Sequence, residues 1–245
     1  PTAPNLFFTK NDPQDPRLGE YFKPAILNSS DIKTDDVVVV GYPDDEGIRM
    51  NGGRPGSAEA PKMIRQFLYK MIWPYKEPSA RKFLDLGDLN PTDMIENKHE
   101  EALQLAEALH QKKAFTLSFG GGHDYGYSDA AGFVKSYLNS KQRPLIINFD
   151  AHLDVRPIQH GPNSGTPFFR LLSRFSEQID FVELGFQPQC NSIFHREWAQ
   201  SKKAFLYDLK NIHHGKLMSL FEKPPFKNLT AETPVFISFD IDALT

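Results

Sequence analysis

Short apolar runs that end in glycine or acidic residues alternate along this chain with longer segments of helical composition. Residues 37–40 are four consecutive valines closed by Gly41, a pattern that suits a strand buried on both faces. A polar, glycine-rich loop follows over residues 42–57. Residues 58–71 then read as a helix, with Pro61 near its start, where proline is tolerated. The alternation repeats: a short strand at 82–86, a helix rich in Glu, Ala, Leu and Gln at 97–112, and a strand at 114–119 closed by Gly120, Gly121 and Gly122. A helix at 127–138, a strand at 144–149 and a helix at 166–175 come next. Further strands fall at 179–184, 204–207 and 235–239. Strands alternating with helices need crossover connections, which predict a mostly parallel sheet covered on both faces. The fold class expected is α/β, one three-layer α/β/α domain spanning residues 1–245. Residues 1–35, rich in Pro, Asn and Asp, are expected to be an irregular lead-in.

Composition narrows the classes of function. Hydrophobic residues make up 40 % of the 245, as in a globular chain. The net charge of −3 argues against nucleic acid or an anionic membrane as partner. No apolar run approaches membrane-spanning length. Residues 1–11 lack a basic segment followed by an apolar core, so no signal peptide is expected. The single cysteine, Cys190, allows no intrachain disulfide, which fits a reducing, cytoplasmic setting. With no activating histidine motif beside it, Cys190 reads as a small buried or half-buried side chain rather than a nucleophile.

Chemistry concentrates at three strand ends. The clusters are Ser118-Phe-Gly-Gly-Gly-His123-Asp124, Asn148-Phe-Asp150-Ala-His152-Leu-Asp154 and Ser238-Phe-Asp240-Ile-Asp242. Ligands of open parallel sheets bind outside the carboxyl ends of the strands, which is where these clusters fall. Asp150, His152 and Asp154 are spaced i, i+2, i+4, and on extended backbone all three would point to one side. Carboxylates and an imidazole so crowded repel or desolvate one another unless a cation intervenes. Oxygen and imidazole donors without a thiolate favour a harder divalent ion such as Mn²⁺, with Zn²⁺, Co²⁺, Ni²⁺ or Fe²⁺ as alternatives. Six side chains, His123, Asp150, His152, Asp154, Asp240 and Asp242, exceed what one ion needs, so two ions sharing carboxylates is the simpler count. Taken singly, each cluster also has a structural reading: Asp-x-His or Asp-x-Asp can line a loop, and a glycine run can serve a tight turn.

These motifs resemble the three signatures of the ureohydrolase superfamily of arginases and agmatinases, and the resemblance runs from about residue 37 to the end. It implies an arginase-like fold, two Mn²⁺ ions per chain, and hydrolysis of a C–N bond at an amidine or guanidine carbon by a metal-bridging hydroxide. One ion would be held by His123, Asp150, Asp154 and Asp240, the other by Asp150, His152, Asp240 and Asp242, with Asp150 and Asp240 bridging. Asp154 would be catalytic, taking a proton and returning it to the leaving nitrogen. The segment from Asp44 to Pro61, and Asp154-Val-Arg156-Pro followed by Ser164-Gly165-Thr166-Pro167-Phe168, are similar to formimidoylglutamases in particular. Arginases carry a histidine near the position of Phe168 that serves a proton relay; here that relay is absent. Arg156 offers a bidentate fork for a carboxylate, with Arg49, Arg54, Ser164 and Thr166 as further candidate substrate contacts. Arg49 and Arg54 also read as loop-pinning residues, and Ser164-Gly165-Thr166 as the start of the next helix. Gln187 and Asn191, after another strand end, are looser candidates.

The resemblance therefore implies hydrolysis of N-formimidoyl-L-glutamate to L-glutamate and formamide, a step of histidine breakdown, on a small-molecule substrate bearing carboxylates. Relatives form homo-oligomers, so that assembly is open here too. The alternatives are another ureohydrolase acting on arginine, agmatine or a guanidino acid, a single-zinc deacylase of the related fold, and a non-catalytic member kept as a binding module. The family pattern continues past Asp242 with a further substrate-facing loop, so the expectation is a single domain lacking its C-terminal part.

Overall fold

In the computed structural model the residues described are 1–27, 32–74, 80–89, 94–212 and 217–244. Eight strands are present among them: β1 (Phe22–Pro24), β2 (Val37–Gly41), β3 (Phe83–Asp88), β4 (Phe115–Phe119), β5 (Leu145–Phe149), β6 (Asp180–Phe186), β7 (Phe205–Asp208) and β8 (Val235–Phe239). They form two four-stranded sheets, ordered β1-β3-β2-β4 and β7-β6-β5-β8, and every pairing within them is parallel. One sheet was expected; the described strands divide into two, and β4 and β8 are the outer strands on one side of each.

The helices that matter here are α1 (Leu18–Tyr21), α2 (Glu46–Met50), α3 (Ala60–Leu68), α4 (Ile95–Gln111), α5 (Tyr125–Tyr137), α6 (Pro167–Phe175) and α7 (Ile193–Ser201). Helix α4 shows why its segment is helical: Ile95, Lys98, His99, Ala102, Leu103, Ala106 and Leu109 are its buried positions, a 3.6-residue stripe facing the core. At β2 and β5 both sheet faces are covered. On β2, Val38 packs with Leu109 and Val40 with Ala102, whereas Val39 turns to the other side, against Phe22 and Tyr69. On β5, Ile146 joins the α5 and α6 side chains Phe133, Val134, Leu171 and Leu172, and Leu145 and Ile147 face Leu220 and Phe226. Burial on both faces accounts for the continuous apolar runs and gives the three-layer α/β/α arrangement.

Three short elements depart from the expectation. The lead-in contains α1 and β1, and β1 pairs with β3 in parallel register, Phe22 opposite Phe83. The glycine-rich loop after β2 contains α2. Elements of three to five residues carry too little periodicity to stand out from their polar surroundings. No helix among the described residues is long and apolar enough to cross a membrane.

Candidate metal centre

Strand register builds the centre. β5 and β8 are neighbours with Phe149 opposite Phe239, so the next residues, Asp150 and Asp240, emerge side by side at the carboxyl ends. The Asp240 N–H donates to the Phe149 carbonyl at 2.9 Å, continuing the ladder by one step. His123 arrives from the loop after β4. That loop presses against the one after β2, with the Gly122 N–H donating to the Asp44 carbonyl at 2.9 Å. A Cβ on Gly121 would lie 1.7 Å from the same oxygen, so the glycine run is required for this close approach.

The six residues come together. His123 Nδ1 lies 3.2 Å from Asp150 Oδ2, 2.9 Å from Asp154 Oδ2 and 3.1 Å from Asp240 Oδ2. His152 Nδ1 lies 2.9 Å from Asp242 Oδ2 and 3.5 Å from Asp150 Oδ1. They fall into two groups whose ligand atoms lie within 4.8 Å of one another: His123, Asp150, Asp154 and Asp240, and then Asp150, His152 and Asp242. Asp150 belongs to both. Asp240, expected to bridge as well, belongs to the first group, and its Oδ1 accepts from the Asp242 N–H at 3.0 Å.

The residues fit metal ions on the count of hydrogens. An imidazole nitrogen carries at most one, so Nδ1 of His123 cannot donate to three carboxylates at once. Against the cost of burial, those carboxylates hold the His123 imidazolium far above its ordinary range. Contact with Asp150 and Asp242 lifts His152 to about 11. Burial, aided by the charges of Asp150 and Asp240, pushes the Asp154 carboxyl up to about 7. The two imidazole shifts report an excess of negative charge that divalent ions at these positions would neutralise.

The backbone of the second cluster differs from the extended path expected. Strand β5 ends at Phe149; the His152 N–H donates to Asp150 Oδ1 at 2.7 Å, curling the chain, and Asp154 sits at φ 47°. This left-handed conformation is costly for a non-glycine residue and recurs at functional sites. Asn191 holds the curl: its Oδ1 accepts from the Leu153 N–H and its Nδ2 donates to the Ala151 carbonyl, each at 2.9 Å. Asn191, a loose candidate for substrate contact, thus spends its amide on the ligand loop.

A polar row beneath the ligands escaped the sequence reading. Glu183 on β6, Asn148 on β5 and Ser238 on β8 share one register line, and all are buried. Asn148 Nδ2 donates to both Glu183 oxygens at 3.1 Å, and Ser238 Oγ lies 2.9 Å from His123 Nε2. Burial and the nearby Asp150 charge raise the Glu183 carboxyl well above the carboxylate range. The available signal was a glutamate in the middle of the apolar run Phe-Val-Glu-Leu.

Above the ligands lies a cavity of about 500 Å³ whose wall includes Asn51, Arg156, Ser164, Cys190, Ser192 and His195. Arg156 Nη1 donates to Asn51 Oδ1 at 3.1 Å, and Asn51 Nδ2 donates to Ser164 Oγ at 3.0 Å. Arg156 and Ser164 are therefore at the cavity, joined by an asparagine from the end of α2. Three other candidate substrate contacts are not brought to its wall. Thr166 is fully buried, and its hydroxyl is engaged with the backbone of Asn163. Arg49 pairs with Asp45 at 2.6 Å, and Arg54 is exposed away from the wall. Cys190, expected to be covered, is exposed at the rim.

With this geometry in place, comparison with known proteins defines the class. The profile of the arginase family matches residues 35–245, and the chain belongs to that family. It is 29 % identical over 228 residues to the formimidoylglutamase of Streptococcus gordonii, a match covering 88 % of this chain and 67 % of that one. With the formimidoylglutamase of Geobacillus thermodenitrificans it shares 36 % identity over 154 residues, 62 % of this chain and 47 % of the relative. The chain thus matches between about half and two thirds of these relatives' lengths. The crystal structure of Trypanosoma cruzi formiminoglutamase with Mn²⁺ superposes with a TM-score of 0.78 at 28 % identity, covering 94 % of this chain and 76 % of that one.

Proposed function

We propose that the protein is a dinuclear, manganese-dependent hydrolase that cleaves N-formimidoyl-L-glutamate to L-glutamate and formamide. The observation that carries this reading is the pair of ligand groups sharing Asp150 beneath a cavity with Arg156 in its wall. The names of its relatives, and the Mn²⁺ in the Trypanosoma structure, support it. A single free thiol accords with a reducing, cytoplasmic setting.

Two divalent ions, when bound, supply the Lewis acidity that activates water at neutral pH and offset the charge that grows at the amidine carbon. The chain's own groups do the remaining work. Asp154 is largely buried yet borders the cavity, with Oδ2 turned to His123 at 2.9 Å; it accepts the proton of the attacking water and passes it to the leaving nitrogen. Arg156, steadied by Asn51, holds a substrate carboxylate so that the amidine end reaches the ligand floor. Ser164, fixed by the same asparagine, adds a hydroxyl to that wall. The absence of a histidine at Phe168, a buried side chain, leaves the proton transfers to Asp154.

The test is an assay of the manganese-reconstituted protein against N-formimidoyl-L-glutamate, arginine and agmatine side by side. Manganese-dependent turnover of the first alone is expected, with close to two ions per chain. Turnover of arginine or agmatine in its place would move the protein to another branch of the family, and a content near one ion would favour a mononuclear deacylase.

A further inference from the structure

The floor of the cavity is acidic, and its mouth carries donors of the opposite character. Arg156 stands on the loop leaving Asp154. His195 stands in the first turn of α7, half-buried, and lines the same cavity. Neither has an acidic partner among the described residues. The hydrogen bond of the Arg156 guanidinium is to the neutral amide of Asn51. The backbone N–H of His195 donates to Ser192 Oγ at 3.1 Å, fixing the residue in the first turn of α7, and its ring lies edge-on to Phe194 with centroids 5.9 Å apart. Burial, together with the charge of Arg156, holds the His195 imidazole below its usual range.

Arg156 is solvent-exposed, yet its side chain is positioned. The stem of Arg156 lies against the backbone at Gly165, where an added Cβ would come within 3.0 Å of its Cδ. The guanidinium is thus held from two sides, by Asn51 and by the Gly165 backbone. A placed cation and an imidazole in the wall of one cavity, neither in an ion pair among the described residues, are a pair that an anion between them would stabilise.

We infer that His195 and Arg156 form one anion subsite at the cavity mouth, and that His195 is a specificity-determining residue for an amidine substrate whose far end bears a carboxylate. The inference deepens the hydrolase reading above and rests on it. The acidic floor takes the amidine end; the mouth takes the carboxylate end and disfavours a substrate whose tail is cationic or uncharged.

The experiment is calorimetric titration of the manganese-loaded protein with glutarate, a dicarboxylate without the amidine, alongside kinetics on N-formimidoyl-L-glutamate. His195→Ala should weaken glutarate about tenfold, the scale of one hydrogen bond to a charged group, and raise KM by a similar factor with a much smaller change in kcat. His195→Asn, which restores an N–H donor, should recover most of the loss, and manganese affinity should not move in either variant. Should the alanine variant unfold, His195→Phe keeps a ring without a donor and should show the same loss. Equal glutarate affinity in the wild type and the folded donor-less variant overturns the subsite, as does a wild type that binds no glutarate. A wild type that hydrolyses arginine instead, yet loses glutarate affinity on His195→Ala, would sink the substrate assignment and leave the subsite standing.

Discussion

Two buried clusters of charge lie at strand ends in this molecule, and they resolve their charge differently. At the end of β3, Arg65 is buried between Asp85 and Asp88. Its Nε and Nη2 grip the two oxygens of Asp85 at 2.9 and 3.0 Å, Nη1 donates to Asp88 at 2.6 Å, and Nη2 also reaches the Gly87 carbonyl. Tyr69 donates its hydroxyl to Asp85 at 2.5 Å. That cluster is closed by a fork whose donors match the acceptors. At the ends of β5 and β8, by contrast, three carboxylates converge on one imidazole nitrogen, and the donors fall short. Acidic residues at a strand end are thus no sign of a metal by themselves; the count of donors against acceptors separates the two cases.

The comparison breaks first at Asp150, the residue common to both ligand groups. Asp150→Ala should lower metal content from about two ions to one or fewer and reduce turnover by about a thousandfold or more; metal analysis and steady-state kinetics read the two effects. The reciprocal change is Arg65→Met. It leaves Asp85 buried without its cation and should cost about 3–5 kcal/mol of stability, read by denaturant unfolding, while the folded fraction keeps its full metal content. If Arg65→Met emptied the metal centre, the two clusters would not be independent.

A third expectation concerns His110, packed edge-on against Phe133 with ring centroids 5.0 Å apart. Burial depresses its imidazole to about 4 from an ordinary 6.5. The unfolded chain therefore takes up a proton before the folded one does. The associated stability is complete above pH 6.5 and is lost as pH falls through 4, on the order of 2 kcal/mol after allowance for the ring's partial contact with solvent. His110→Leu should flatten this part of the pH–stability curve for the metal-free protein; an unchanged slope would reject the assignment. The smallest effect is at Gly165. Gly165→Ala crowds the stem of Arg156 and should raise KM by about threefold through a shift of a few tenths of an ångström, leaving metal content alone.

Long apolar runs told their own story. Strand β8 occupies the residues expected, and β2, β4 and β5 differ by a residue or so, because each is a short apolar run; β2 and β5 are buried on both faces, whereas β8 leaves Val235, Ile237 and Phe239 exposed. The ligand set was legible for a related reason: each member follows such a strand, so strand ends could be located and compared. What the order of residues did not show was anything fixed by register or by distant loops. Glu183, Asn148 and Ser238 form a row only once three strands are aligned. Arg156 finds Asn51 from more than a hundred residues away in the chain. Thr166 stands in the Ser164-Gly165-Thr166 segment that resembles formimidoylglutamases, yet its hydroxyl closes a turn on Asn163. The i, i+2, i+4 spacing of Asp150, His152 and Asp154 pointed to convergence for the wrong reason: a curl with a left-handed Asp154, rather than an extended strand, brings them together.

The register of β5 against β8 carries a consequence for assembly. Because side chains alternate, a slip of one residue between these strands would send Asp240 to the opposite face and take it away from Asp150. A cation that needs both can bind only the correctly aligned pair, and it lends its binding energy to that alignment alone. The ion is in this sense a gauge of strand alignment: occupancy reports that two segments ninety residues apart in the chain have met in step, and a misaligned chain is left without that stabilisation.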